Sequence, residues 1–539
     1  MSKKNRPEKK NKPPLKSEQS ADSFISKWQS IVKYKHLGLI FAFVYAVVMT
    51  FISLSFHKIG DYGVETDFYW GYVPAAQQFL NGVVQIDQFR GPLYPIVLSL
   101  FGSVLGDFFI GGVMLAIISS TFVIYFSFET LKHLFSATLS FFVTLLLITN
   151  PIFIQYTYST GTDMFFIALV SAAMFFFFRK NGPGTKNILL AAFFSGLSYL
   201  TRYNGLFLFG FVLVILFINY WKIGFKKRIV LSGLFILVVF LTISPWGMYC
   251  LKEKGSFFYN ENYKNIAYEL YGKGKMGWDD FWFKESKSFT SMSQVILKDP
   301  GAFVSNTVSN ISDHFLNDME KLTGWQIGFF VVIGFFLMLF NKPLKKIGTA
   351  RFAYLLVNFF FFALLLLLFY GERFSMFLIP FYCSIAVFTI LNRNNPITEK
   401  LPDTLRIILL IVLVSINAVK AYNYNSDIII SGPNEILVIK DWFNNNIKPP
   451  PTGVIIAARK AHIAYYLNMK FKPLPLADNY NDFIATLKRD NVEYLYFSEI
   501  EAQLRREFVS LLNPHSEHPG LTALVFTSYP PAVLYKIEK

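Results

Sequence analysis

The stretch GPLYPIVLSLFGSVLGD, residues 91–107, decides how the rest of the chain is threaded. It is apolar enough to pass for a membrane span, yet it opens on Gly91, Pro92 and Pro95, and only Asp107 separates it from the next apolar run. Further apolar runs fall near 37–56, 108–128, 134–150, 161–178, 187–201, 204–221, 229–249, 325–340, 351–369, 374–391 and 403–419. An untilted helical span needs about 20 apolar residues. Basic connectors belong on the cytoplasmic side. Here these are the N-terminal tail, Lys132 with His133, Arg179 with Lys180, 221–228 with Lys222, Lys226 and Lys227, and 342–346. If every run crosses, the connectors fall on contradictory sides. If 91–106 does not cross, all of them land inside. The stretch therefore reads as a juxtamembrane or re-entrant helix on the outer face. The chain reads as an α-helical polytopic membrane protein with about eleven transmembrane helices.

Composition agrees. The 539 residues are 53% hydrophobic and 18% aromatic, with only 16% charged and 61 Phe; mean hydropathy is +0.40. Soluble domains carry about 25% charged residues, and helices apolar all round need a buried or lipid setting. The net charge of +16 resembles a nucleic-acid signature, but its placement excludes that class. Much of it lies in the tail (Lys3, Lys4, Arg6, Lys9, Lys10, Lys12, Lys16) and in short connectors, the positive-inside pattern. The tail reads as a solvated basic segment rather than a specific lipid-binding one. No small-residue cleavage site follows the first run, which stays as an anchor. Cys250 and Cys383 lie at or within apolar segments and suggest neither a disulfide framework nor a metal site.

Three outer segments are long enough to carry function: 57–107, 250–324 and 420–539. The chain divides into a basic cytoplasmic tail (1–36), a transmembrane body (37–419) and an extracytoplasmic α/β domain (420–539). That last domain reads as helices near 434–446, 459–468, 481–489 and 500–512. Its strands fall at 454–458, 493–497, near 522–527 and near 532–537. The 250–324 loop holds Tyr259, Tyr263, Tyr268, Tyr271, Trp278 and Trp282, aromatics suited to the membrane interface. They also suit stacking on sugars.

Under this topology Asp67, Arg90, Asp163, Arg202, Glu372 and Arg373 share the outer face. Asp67 reads as a general base for an acceptor hydroxyl or amine, or with Thr66 as a helix cap. Asp163 reads as a site residue or an N-terminal helix charge. Arg202 reads as a bidentate phosphate ligand or an interfacial cation. Glu372 and Arg373 pair with each other, reach a charged headgroup, or simply form a polar turn. No P-loop and no dinucleotide fingerprint is present. No His/Cys metal spacing and no basic-aromatic platform for nucleic acid appears either. A nucleotide-driven mechanism therefore has no visible site.

The motifs together resemble the polytopic GT-C glycosyltransferases, of the protein O-mannosyltransferase and lipid A aminoarabinose transferase kind. Asp67 followed by Tyr72, Ala75, Ala76, Leu80 and Gly82 is similar to that family's first outer loop with its acidic residue. GPLYP at 91–95, which includes Tyr94, is similar to its proline-rich juxtamembrane element. Arg90 and Gly91 stand where the family pattern has His and Pro, so no role passes to a histidine. The run to Asp163, LTRYNGL at 200–206 with Arg202 and Tyr203, and ERF at 372–374 also match. The resemblance implies inverting sugar transfer from a polyprenyl-phosphate donor to a lipid, protein or glycan acceptor at the outer face. It implies Asp67 as base and Arg202 and Arg373 on the donor phosphate. Asp163, Glu372, Tyr72, Arg90, Tyr94 and Tyr203 are further site candidates, and no cofactor or nucleic-acid partner is expected. The expected location is a cytoplasmic (inner) membrane, multi-pass, with the N-terminus cytoplasmic. The rival readings are a polytopic transporter, which should place charges near the membrane midplane, and a non-catalytic membrane scaffold.

Overall fold

The computed structural model describes residue 32 and residues 34–58, 67–179, 184–218, 221–340, 348–392, 400–449, 451, 453–477 and 479–538. Of the basic connectors, the tail through residue 31, Lys180 and residues 341–347 lie outside this set, as do residues 59–66 of the first outer loop.

Every expected apolar run carries helix. Among the described residues, five helices are long and apolar enough to cross a membrane: Leu37–Phe56, Phe108–Leu134, Phe225–Lys254, Glu372–Leu391 and Asp403–Asn446. Ala137–Ile148 and Pro151–Tyr158, bent by 62°, make a sixth if they act as one span. Further apolar helices run only 10–17 residues, so on helix length alone five or six crossings stand where about eleven were expected. Thr162–Phe177, with 16 residues, rises about 24 Å at 1.5 Å per residue, against a hydrocarbon layer of about 30 Å. The breaks have local causes. Pro151 ends one helix axis and starts another, with the Asn150 side chain accepting from Phe153 N–H at 3.0 Å. The Pro151–Tyr158 segment, which lies between the expected runs 134–150 and 161–178, is helical.

The deciding stretch forms the helix Leu93–Leu105. It ends at Gly106, whose φ of 72° is left-handed and favours glycine. Asp107 then accepts from Ile110 N–H at 2.9 Å and caps Phe108–Leu134. Gly91 is needed for another reason. A Cβ there would lie 1.9 Å from the Leu200 carbonyl oxygen, so the start of this helix is pressed onto the end of Thr185–Thr201.

Lipid-facing positions are plain on the first span, where Phe43 is 70% exposed and Phe51 64%. Inside, polar side chains hold helices together. Asn425 donates to the Pro151 carbonyl at 3.1 Å and accepts from Tyr158 at 2.8 Å. Asn417 donates to the Leu146 carbonyl at 3.1 Å. The last span is thus laced to both arms of the bent pair.

That last helix continues to Ser431 and leads through Asn434–Asn446 into a five-stranded sheet. Its strands are β1 (Ile455–Ala458), β2 (Lys470–Pro473), β3 (Tyr494–Ser498), β4 (Leu521–Ser528) and β5 (Pro531–Ile537), in the order β2-β1-β3-β5-β4. β1 runs parallel to β2 and β3; β5 is antiparallel to β3 and β4. Alternation along the strands feeds two cores, Leu495 and Phe497 on one face and Tyr494 and Tyr496 on the other. The four expected strands are present. β2, KFKP, escaped because it is a short edge strand with an exposed Lys470 and a half-buried Lys472, a sequence without the usual strand signal.

Candidate active site

The first outer loop re-enters the structure at Asp67, which opens the turn Phe68–Tyr72. Its carboxylate meets Arg90 at 2.6 Å, and Arg90 also holds Asp87 at 3.3 Å. The guanidinium lies 4.8 Å from the Tyr72 ring centroid. The backbone carbonyl of Arg90 accepts from Tyr203 OH at 3.2 Å, and Trp246 donates to that hydroxyl at 3.4 Å. Arg90 is therefore fixed from four sides, and it fixes Asp67.

A second pair stands beside the first. Asp163, buried in the first turn of Thr162–Phe177, is ion-paired with Arg202 at the end of Thr185–Thr201. The helix N-terminus favours the carboxylate. The Tyr72 hydroxyl is 3.2 Å from that of Thr162, which joins the two pairs. Tyr94 packs edge-on against Tyr72 at 5.0 Å and is buried. Arg373 interacts electrostatically with both Asp163 and Asp67. The nine residues singled out from sequence divide accordingly. Asp67, Arg90, Tyr72, Tyr94, Tyr203, Asp163, Arg202 and Arg373 converge, while Glu372 faces the cavity described below and interacts with Asp318.

Burial by itself would raise the Asp67 carboxyl pKa. Arg90, Arg373 and Lys460 outweigh it and hold the group below the ordinary carboxylate value. Arg90 is pushed up, its carboxylate and tyrosine neighbours outweighing burial.

A cavity of about 580 Å³ opens beside Arg373, lined also by His57, Lys58, Gln155, Tyr156 and Glu372, with Phe369, Ile428 and Ile429 among its apolar walls. Below the 372–375 turn, fully buried Asp318 accepts from Tyr382 OH at 2.8 Å. Burial raises its carboxyl to about 7.

Sequence reasoning missed the residues that the C-terminal domain brings. Tyr465 stacks on Tyr69 at 4.2 Å and Phe471 meets Trp70 edge-on at 5.1 Å. Arg459 and Arg505 reach Asp279 of the long loop at 3.1 and 3.8 Å. Lys460 interacts with Asp67, Asp279 and Arg373. One signal was available: Arg459 and Lys460 directly follow the first strand of an α/β unit, where ligand-binding residues gather.

Comparison with known proteins fits this geometry. Residues 90–249 match the family model of dolichyl-phosphate-mannose-protein mannosyltransferase, a segment that begins at Arg90 and includes Asp163 and Arg202. The chain has the fold of the GT-C glycosyltransferases. In particular, it is similar to ArnT from Cupriavidus metallidurans, solved bound to undecaprenyl phosphate: TM-score 0.57, 13% identity, 93% of this chain and 98% of that one. It is also similar to the oligosaccharyltransferase AglB from Archaeoglobus fulgidus, solved with an inhibitory peptide and a dolichol-phosphate. There the TM-score is 0.52 with 13% identity, over 91% of this chain and 74% of that one. No curated protein matches by sequence.

Proposed function

We propose that this protein transfers a sugar from a polyprenyl-phosphate carrier to an acceptor at the extracytoplasmic face, with inversion. The observation that carries the reading is the convergence of Asp67, Arg90, Asp163, Arg202 and Arg373 beside a cavity that is cationic at Lys58 and Arg373 and apolar behind them. The match over 90–249 and the GT-C fold support the same class.

In the proposed step the acceptor O–H or N–H attacks the anomeric carbon from the face opposite the phosphate. The new bond forms as the carbon–oxygen bond to phosphate breaks, and that electron pair leaves on the polyprenyl monophosphate. The nucleophile's proton passes to Asp67. A carboxylate held at low pKa stays ionised at physiological pH, and it accepts the proton late, when bond formation has made the nucleophile acidic. Arg373 at the cavity is the first ligand for phosphate charge. Arg202, oriented by Asp163, is the second. Apolar walls at Phe369, Ile428 and Ile429 suit a prenyl chain. In this reading the tail 1–36 is cytoplasmic, 37–419 forms the membrane body and 420–539 is an extracytoplasmic domain.

The test uses full-length purified protein with polyprenyl-phosphate-linked sugars. Sugar release by the wild type, and none by Asp67→Asn despite normal insertion, is the expected result. Full activity in Asp67→Asn overturns the assignment of the base.

A further inference from the structure

The C-terminal sheet has its topological switch at β1. The chain leaves β1 for β2 on one side and reaches β3 on the other, all three parallel. In such sheets the crevice outside the carboxyl ends of the strands is where ligands bind. Here that crevice points at the membrane body. Arg459 and Lys460 follow β1, and Glu499 to Glu501 follow β3. The buried Glu501 carboxylate accepts from Arg459 N–H at 2.9 Å and ties the two strand ends together. Outward from the crevice, Asp279 takes Arg459 at 3.1 Å and Arg505 at 3.8 Å. The Tyr69–Tyr465 stack seats the adjoining helix directly on the segment that begins at Asp67.

Cations and anions then do not match. Arg90 and Arg202 are ion-paired with Asp67 and Asp163, and Arg459 and Arg505 share Asp279. Lys460 interacts with Asp67, Asp279 and Arg373, yet among the described residues it makes no ion pair within 4.0 Å. Burial first, then the like charge of Arg459, lowers its ammonium to about 8. A half-buried cation crowded by arginines is a place short of negative charge, and a bound oxyanion would supply it.

We propose that Lys460, delivered by the C-terminal domain, is a substrate-binding residue that holds an oxyanion of the bound reactants next to Asp67. This rests on the transfer reading given above. The oxyanion is a phosphate or a carboxylate, and it has two sources: the donor's phosphate, or an acidic group on the acceptor.

The experiment measures binding of undecaprenyl phosphate to the full-length purified protein, with uncharged undecaprenol as control, and product formation in membranes. Wild type, Lys460→Gln and Lys460→Arg are compared. With the donor phosphate as the source, Lys460→Gln binds undecaprenyl phosphate about tenfold more weakly, undecaprenol affinity stays level, and Lys460→Arg recovers most of the loss. With an acceptor anion as the source, carrier affinity stays level while product formation falls about tenfold in Lys460→Gln and returns in Lys460→Arg. Wild-type affinity and turnover in Lys460→Gln overturn the proposal, as does an equal loss in both variants, which marks packing rather than charge. If the wild type neither binds the carrier nor forms product, the transfer reading falls, and this inference with it.

Discussion

Asp67 is governed by two opposed effects, and their balance is testable. Burial favours the neutral acid, and the surrounding cations favour the carboxylate; at present the cations win. Removing Arg90 by Arg90→Gln takes away the nearest cation, at 2.6 Å, while burial remains, so the carboxyl pKa rises. A base must be ionised to act, hence the acidic limb of the pH–rate profile moves to higher pH in Arg90→Gln. An unmoved limb would show that Asp67 does not set it. The same scale explains why Arg202 and Arg373 are unequal candidates for phosphate. Arg202 is committed to Asp163, with its remaining N–H groups oriented by that pair. Arg373 lines the cavity itself. Arg373→Ala should therefore weaken undecaprenyl phosphate binding more than Arg202→Lys does, by about tenfold for a lost charge-assisted contact of about 1.5 kcal/mol. Equal effects would contradict this order.

At the scale of elements, the helix Leu93–Leu105 shows how turn residues and packing cooperate. Its entry is Gly91 against the Leu200 carbonyl, and its exit is left-handed Gly106 before the Asp107 cap. Gly91→Ala puts a methyl group 1.9 Å from a backbone oxygen, which no rotamer change relieves. The expected cost is at the upper end of the ~1–3 kcal/mol typical of overpacking, read as a lower melting temperature in detergent. Because Leu200 precedes Arg202 by two residues, the same variant should also lower activity in the fraction that folds. A Gly91→Ala protein that melts like the wild type would mean the two segments separate freely.

For the whole molecule, the site is shared between a membrane body and a domain far away in sequence. Asp279 is the post to which Arg459 and Arg505 are tied. Asp279→Ala leaves two cations of the C-terminal domain without their shared partner on the long loop, beside the aromatic contacts of Tyr465 and Phe471. Arg459 and Asp279 keep partial solvent exposure and the Arg505 contact is long, at 3.8 Å, so each pair contributes little stability by itself, and global melting should change little. Hydrogen exchange in residues 462–473 should rise and turnover should fall. Unchanged exchange would show that the aromatic contacts hold the domain alone. Exchange is the proper readout because local opening costs less than global unfolding.

The membrane setting, the apolar helices and the α/β character of the C-terminal domain were all legible in the chain's local patterns. Hydrophobic runs, strand alternation and Gly/Pro punctuation are local signals, and lipid leaves the backbone few alternatives. The sequence also marked Asp67, Asp163, Arg202 and Arg373 as unusual, since charges beside apolar runs stand out. The pairing of those charges was decided only in three dimensions. Asp163 and Arg202 are brought together by two neighbouring helices, and Asp67 and Arg90 by a loop folded back on itself. Helix lengths followed the same rule: breaks at Asn150–Pro151 and Arg202 come from packing and capping as much as from composition. The roles of Asp279 and Lys460 left almost no local trace. Their meaning lies in contacts between segments far apart in the chain, 180 residues for Asp279 and Arg459, and the free energy of such contacts depends on burial and distance, which are set by the tertiary structure.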